Sequence, residues 1–153
     1  MDAAALERGY REIQAQIHPD RFAASGDAER RASMQWTTRV NEAYRMLRDP
    51  VQRAKYLLEL NGVDVAFETN TQMPTDFLTR QLELREALAE ATSPEALDRL
   101  REGVDQEKAA LEARIGELID GRRELAAAAG EVRKLMFLQR LGEEIELAYQ
   151  DGD

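Results

Sequence analysis

The sequence contains no cysteine and only one histidine. Without cysteine the chain forms no disulfide, offers no thiolate nucleophile and cannot hold zinc or an iron–sulfur cluster through sulfur. A single histidine excludes a multi-histidine metal centre. An excess of basic residues is also missing: 21 Lys and Arg stand against 30 Asp and Glu, a formal net charge of −9. Nucleic-acid phosphates are bound by basic stripes, so no nucleic-acid surface is expected. No apolar run approaches the roughly 20 residues needed to span a bilayer, so no membrane segment is expected. The first residues lack a basic region followed by an apolar one, and an early Asp2 and Glu7 fit a transit peptide poorly. What is left is a soluble protein of a reducing compartment, the bacterial cytoplasm being the expected one.

What the sequence does have is helical spacing, with alternating strand patterns nearly absent. Its 153 residues allow one domain or two small ones. Leu6, Tyr10, Ile13 and Ile17 form one helix face, and Pro19 stops that helix by pushing the preceding residue out of the α region. A second helix is expected from about Ala28 to Leu47. Asp49-Pro50 caps a third, which ends at Asn61-Gly62. Residues 62–74 read as a linker. Three longer helices follow, over about 75–90, 94–120 (ended by Gly121) and 122–149, joined by short turns as in an antiparallel three-helix bundle. The fold expected is therefore all-α, with domains at 1–61 and 75–153.

Charge is divided unevenly between the halves. Residues 1–60 hold 10 basic and 9 acidic residues, whereas residues 61–153 hold 11 and 21. Two halves of such different character suggest two different partners, although acidic helices are also simply well solvated.

The lone histidine lies in His18-Pro19-Asp20, between the first two helices. Three readings are open: a helix stop followed by a turn, an acid–base pair, and a recognition loop. In the last, Pro19 fixes a rigid corner and Asp20 can accept a forked hydrogen-bond pair from an arginine of a partner. No nucleophile pattern accompanies the pair, which argues against catalysis.

The second half offers another surface. On the helix over 75–90, Phe77, Leu84, Leu88 and Ala91 form the core stripe, while Leu78 and Leu82 point well away from it, next to Thr79, Glu83, Glu86 and Glu90. Exposed leucines beside glutamates suit binding. On the last helix Phe137 points far from the stripe of Leu125, Ala128, Val132, Leu135 and Met136, so it is expected to be an exposed anchor. The competing reading is a wide helix that buries Phe137, Leu138 and Leu141 on a second face.

His18-Pro19-Asp20 after an amphipathic helix, followed by Arg39-Val-Asn-Glu-Ala-Tyr-Arg-Met-Leu-Arg-Asp-Pro-Val-Gln-Arg-Ala-Lys-Tyr56, resembles a J domain. Gln81-Leu-Glu-Leu-Arg-Glu-Ala-Leu88 and Val132-Arg-Lys-Leu-Met-Phe-Leu138 are similar to the HscB-type co-chaperones, which join a J domain to a helical client-binding domain. The resemblance implies a chain that is not an enzyme, needs no cofactor and acts as a monomer. It implies docking on a DnaK-like chaperone of the HscA type through His18, Pro19 and Asp20, with Arg8, Arg11 and Arg21 as nearby basic side chains. It also implies stimulation of that chaperone's ATP hydrolysis and delivery of an IscU-type iron–sulfur scaffold. Leu78, Leu82, Glu83, Glu86, Glu90 and Phe137 match the family's scaffold-binding positions. The family usually begins with a further short helix, and this chain starts almost at the second, so the apolar face of the first two helices is expected to lie open. A helical adaptor that binds scaffold but does not stimulate the chaperone is the alternative reading.

Overall fold

Asp2 starts the first helix. Its carboxylate accepts the backbone N–H groups of Ala4 at 2.9 Å and Ala5 at 3.1 Å, two donors that a first helical turn leaves unpaired. α1 (Ala3–Ile17) then runs to His18, whose extended backbone (φ −55°, ψ 133°) is the one favoured before proline. Pro19–Phe22 makes a 3₁₀ turn, and α2 (Asp27–Arg48) packs back along α1. Asp49 accepts the N–H groups of Val51 (2.8 Å) and Gln52 (3.1 Å) and so caps α3 (Pro50–Leu60). α3 closes at Gly62, whose left-handed backbone (φ 75°) lets Val63 N–H reach Leu58 O at 2.9 Å and Gly62 N–H reach Glu59 O at 3.0 Å. This is the Schellman closure that glycine makes possible.

The computed structural model describes residues 1–65 and 73–151. Residues 66–72, most of the linker expected at 62–74, lie outside the described residues. α4 (Thr75–Glu90), α5 (Pro94–Gly116) and α6 (Leu125–Asp151) complete the chain, and no strand occurs among the described residues. Ser93 caps α5 by accepting Ala96 N–H at 3.2 Å, with Pro94 at the first helical position. The end of α5 differs from expectation. Gly121 does not stop it; the chain widens into a π-helical turn over Glu117–Arg122, and the left-handed residue is Arg123 (φ 56°). Ile115 and Leu118, at the end of α5 and inside this turn, are buried.

Contact density divides the chain into two units, Met1–Arg53 and Ala54–Asp153, with the division inside α3 and ahead of residue 61. In the first unit the rings of Tyr10 and Tyr44 stack at 4.1 Å, and Tyr10 Oη donates to Asn41 Oδ1 at 2.8 Å. α1 has no fully buried side chain, and in α2 only Ser33 is buried. The apolar faces of the two helices instead line an open groove of about 310 Å³, walled by Leu6, Gly9, Tyr10 and Ile13 of α1 and by Val40, Ala43 and Leu47 of α2. Glycine inside a helix costs backbone entropy, and a Cβ at Gly9 would meet nothing within 4 Å. Gly9→Ala is therefore expected to stabilise the chain by about 0.5–1 kcal/mol, read as a higher urea midpoint at unchanged slope.

The second unit has a true core: Phe77 and Leu84 from α4, Leu97 and Val104 from α5, and Phe137, Leu138, Leu141 and Ile145 from α6. Leu138, Leu141 and Ile145 are fully buried, each contributing about 1.5–3 kcal/mol by leaving water. α6 lies against both α4 and α5, so more than one stripe of it is covered.

Candidate functional site

The His18-Pro19-Asp20 turn is held by the end of α1 and by one side chain of α2. A helix leaves its last carbonyls without intrahelical donors, and here two of them find other partners. The N–H of His18 closes the last helical bond, to Gln14 O at 2.9 Å; beyond it, Ala15 O accepts Nη1 of Arg21 at 2.9 Å, and Ile17 O accepts the hydroxyl of buried Ser33. Gln14 and Tyr10 share Asn41, which ties α1 to α2 one turn before the loop. The corner is thus fixed by α2 as well as by Pro19.

Within the turn, His18 Nδ1 accepts the backbone N–H of Asp20 at 3.3 Å and lies 3.6 Å from the Asp20 carboxylate. Through that acceptor contact His18 caps the turn. The Asp20 side chain is 92% exposed. It presents an anionic acceptor on a rigid corner, the geometry a forked arginine contact needs.

The basic candidates separate into two kinds. Arg8 and Arg11 are exposed and, three residues apart, share a face of α1, where Arg11 pairs with Glu7 at 2.5 Å. Arg21 is also exposed, but its guanidinium folds back onto α1 and braces the turn. Ser33, Asn41 and Gln14 escape sequence reading, because their roles depend on packing between two helices.

In the second unit α4 carries Leu78 (44% exposed), Leu82 (65% exposed), Glu83, Glu86 and Glu90 on its solvent side. Glu83 accepts from Arg80 at 3.0 Å, and Arg80 also pairs with Glu107 of α5. Glu107 first and Glu83 second raise the Arg80 pKa above its ordinary value. Among the described residues Glu86 and Glu90 make no ion pair. The α4 surface is therefore an apolar pair with an acidic rim.

Phe137 is not the exposed anchor that helical periodicity predicts. It is 7% exposed and belongs to the core, edge-on to Phe77 with ring centroids 5.8 Å apart. The wide-helix reading holds instead, because α4 covers the face of α6 that a single-stripe wheel leaves to solvent. Arg85 of α4 lies over the Phe137 ring, 5.5 Å from its centroid, and pairs with Glu144 of α6. No group of acidic, histidine or cysteine side chains able to hold a metal occurs among the described residues. No described helix is long and apolar enough to cross a membrane.

Comparison with known proteins finds relatives over nearly the whole chain. Residues 73–146 match the family model described as the HSCB C-terminal oligomerisation domain. A relative named co-chaperone protein HscB homolog, from Burkholderia multivorans, is 50% identical over 148 residues, covering 95% of this chain and 84% of that one. Among solved structures, the chaperone HscB from Vibrio cholerae has a TM-score of 0.84 at 33% identity, covering 100% of this chain and 91% of that chain. The human co-chaperone protein HscB has a TM-score of 0.91 at 28% identity, covering 96% and 74%.

Proposed function

This chain belongs to the HscB family of co-chaperones, and from that premise we propose that it docks on a DnaK-like chaperone of the HscA type, stimulates its ATP hydrolysis and brings an IscU-type scaffold to it. Residues 1–61 are the J domain and act through His18, Pro19 and Asp20, with Arg8, Arg11 and Arg21 as the nearby basic side chains that meet the chaperone. The second unit binds the scaffold through Leu78, Leu82, Glu83, Glu86 and Glu90. Phe137 contributes to that face from beneath Arg85. Hydrolysis takes place on the chaperone, so the chain acts as a monomeric, cofactor-free adaptor of the bacterial cytoplasm and not as an enzyme.

The observation that carries this reading is the braced turn. His18 caps it, two end carbonyls of α1 are satisfied around it, and one carboxylate is left outward. Tethering a client to the same chain raises its effective concentration at the chaperone, so two modest affinities act together. Acidic residues steer the client, while Leu78 and Leu82 supply binding energy.

The test is the steady-state ATPase rate of the chaperone alone, with this chain, and with this chain plus scaffold. The expected result is stimulation by the chain and a larger one when scaffold is added. The open groove between α1 and α2 favours one second reading, a scaffold-binding adaptor whose hairpin does not stimulate. In that case scaffold binds while the ATPase rate stays at its basal value.

A further inference from the structure

Two aromatic rings meet edge to face between α4 and α6, and each has a cation over it. Lys134 of α6 lies 5.7 Å from the Phe77 centroid, and Arg85 of α4 lies 5.5 Å from the Phe137 centroid. The two cations are held differently. Lys134 pairs with Glu131 on its own helix, and both side chains are largely buried. Arg85 reaches across to Glu144 of the other helix, and the two side chains are 47% and 40% exposed. An ion pair in water contributes little, because solvent and salt screen it and two flexible side chains must be ordered. An exposed cation over a ring adds only a small increment. The cover on Phe137 is therefore weakly held, although the ring itself is fixed in the core.

Its place on α4 gives the cover a use. Leu78, Leu82 and Arg85 follow one another at spacings of four and three, so they share one face of the helix. The acidic groups around that face, Glu83, Glu86, Glu90 and Glu144, call for a partner with basic side chains. We propose that Arg85 is a lid on Phe137, released when a basic group of the partner takes over Glu144, so that an aliphatic side chain of the partner seats on the uncovered ring beside Leu78 and Leu82. The inference rests on the reading of this face as the client surface and adds Arg85 and Glu144 to it as positioning residues. It also accounts for a buried phenylalanine at a position where a binding anchor is expected.

Two measurements test it. The first needs no partner: in full-length chain labelled with 4-fluorophenylalanine, the ¹⁹F line of Phe137, assigned with Phe137→Leu, is broadened by a neutral soluble paramagnet. Arg85→Ala and Glu144→Gln are expected to increase that broadening at least twofold over the parent chain. An unchanged line in both variants overturns the lid. The second is affinity for an IscU-type scaffold by calorimetry. Arg85→Ala is expected to tighten binding about threefold to tenfold, the span of an exposed cation–aromatic contact plus a surface ion pair. The gain is expected to vanish when Phe137→Leu is also present. Weaker binding on Arg85→Ala, or an equal gain in the Phe137→Leu background, would show that Arg85 acts as a direct contact and not as a lid. If the parent chain binds no scaffold, the client reading fails, and the fluorine experiment still decides the lid.

Discussion

Asp20→Ala is expected to remove the stimulation of chaperone ATP hydrolysis while the chain stays folded. The two halves of this expectation rest on different atoms of the same residue. The backbone N–H of Asp20 donates to His18 Nδ1 and so belongs to the turn, and alanine keeps it. The carboxylate is almost wholly in solvent, with His18 Nδ1 3.6 Å away, and a contact so exposed adds little to stability. A partner arginine that loses it forfeits charge-assisted hydrogen bonds of about 1.5–3 kcal/mol each, so at fixed concentration the stimulated rate falls at least about tenfold. Chaperone ATPase rates measured with parent and variant, beside superimposable thermal melts, are the readout. Stimulation that survives the substitution would remove Asp20 from the docking surface.

The second large effect is expected at Leu78 and Leu82. Each places apolar surface in water, a cost that binding recovers. The double variant Leu78→Ala, Leu82→Ala is expected to weaken scaffold binding by about 2–4 kcal/mol, the range of a central hot spot. By calorimetry that is a loss of about thirtyfold to a thousandfold. Stability is expected to stay nearly constant, because neither side chain belongs to the core. Phe137→Ala makes the opposite contrast. It opens a cavity against Phe77, and about 3–5 kcal/mol of stability is expected to go with it. Scaffold affinity that is indifferent to the leucine pair would move the client surface elsewhere on the second unit.

Helix limits were legible because they are local. Asp49-Pro50 and Ser93-Pro94 cap with side chains that reach two or three residues along the chain, and Gly62 closes α3 with bonds no longer than one turn and a half. The exposed leucines of α4 were legible for the same reason, since only one stripe of that helix faces the core. The last helix defeats the same arithmetic. Periodicity assigns one buried stripe, whereas α6 is covered on two sides, so Phe137 lies inside. Gly121 fails as a stop: the chain coils on through it as a π-helical turn and reverses at Arg123.

By itself the sequence determined an all-α chain, the limits of most of its helices, a near-neutral first half, an acidic second half and a proline-fixed corner between His18 and Asp20. Each depends on residues within a few positions of one another or on simple composition. Tertiary structure decided what those side chains do: that Arg21 folds back to brace the turn, that Ser33 and Asn41 hold it from α2, and that Phe137 lies under Arg85. These depend on which surfaces of distant helices meet, and burial is a property of that meeting, which no single helix carries in its own periodicity.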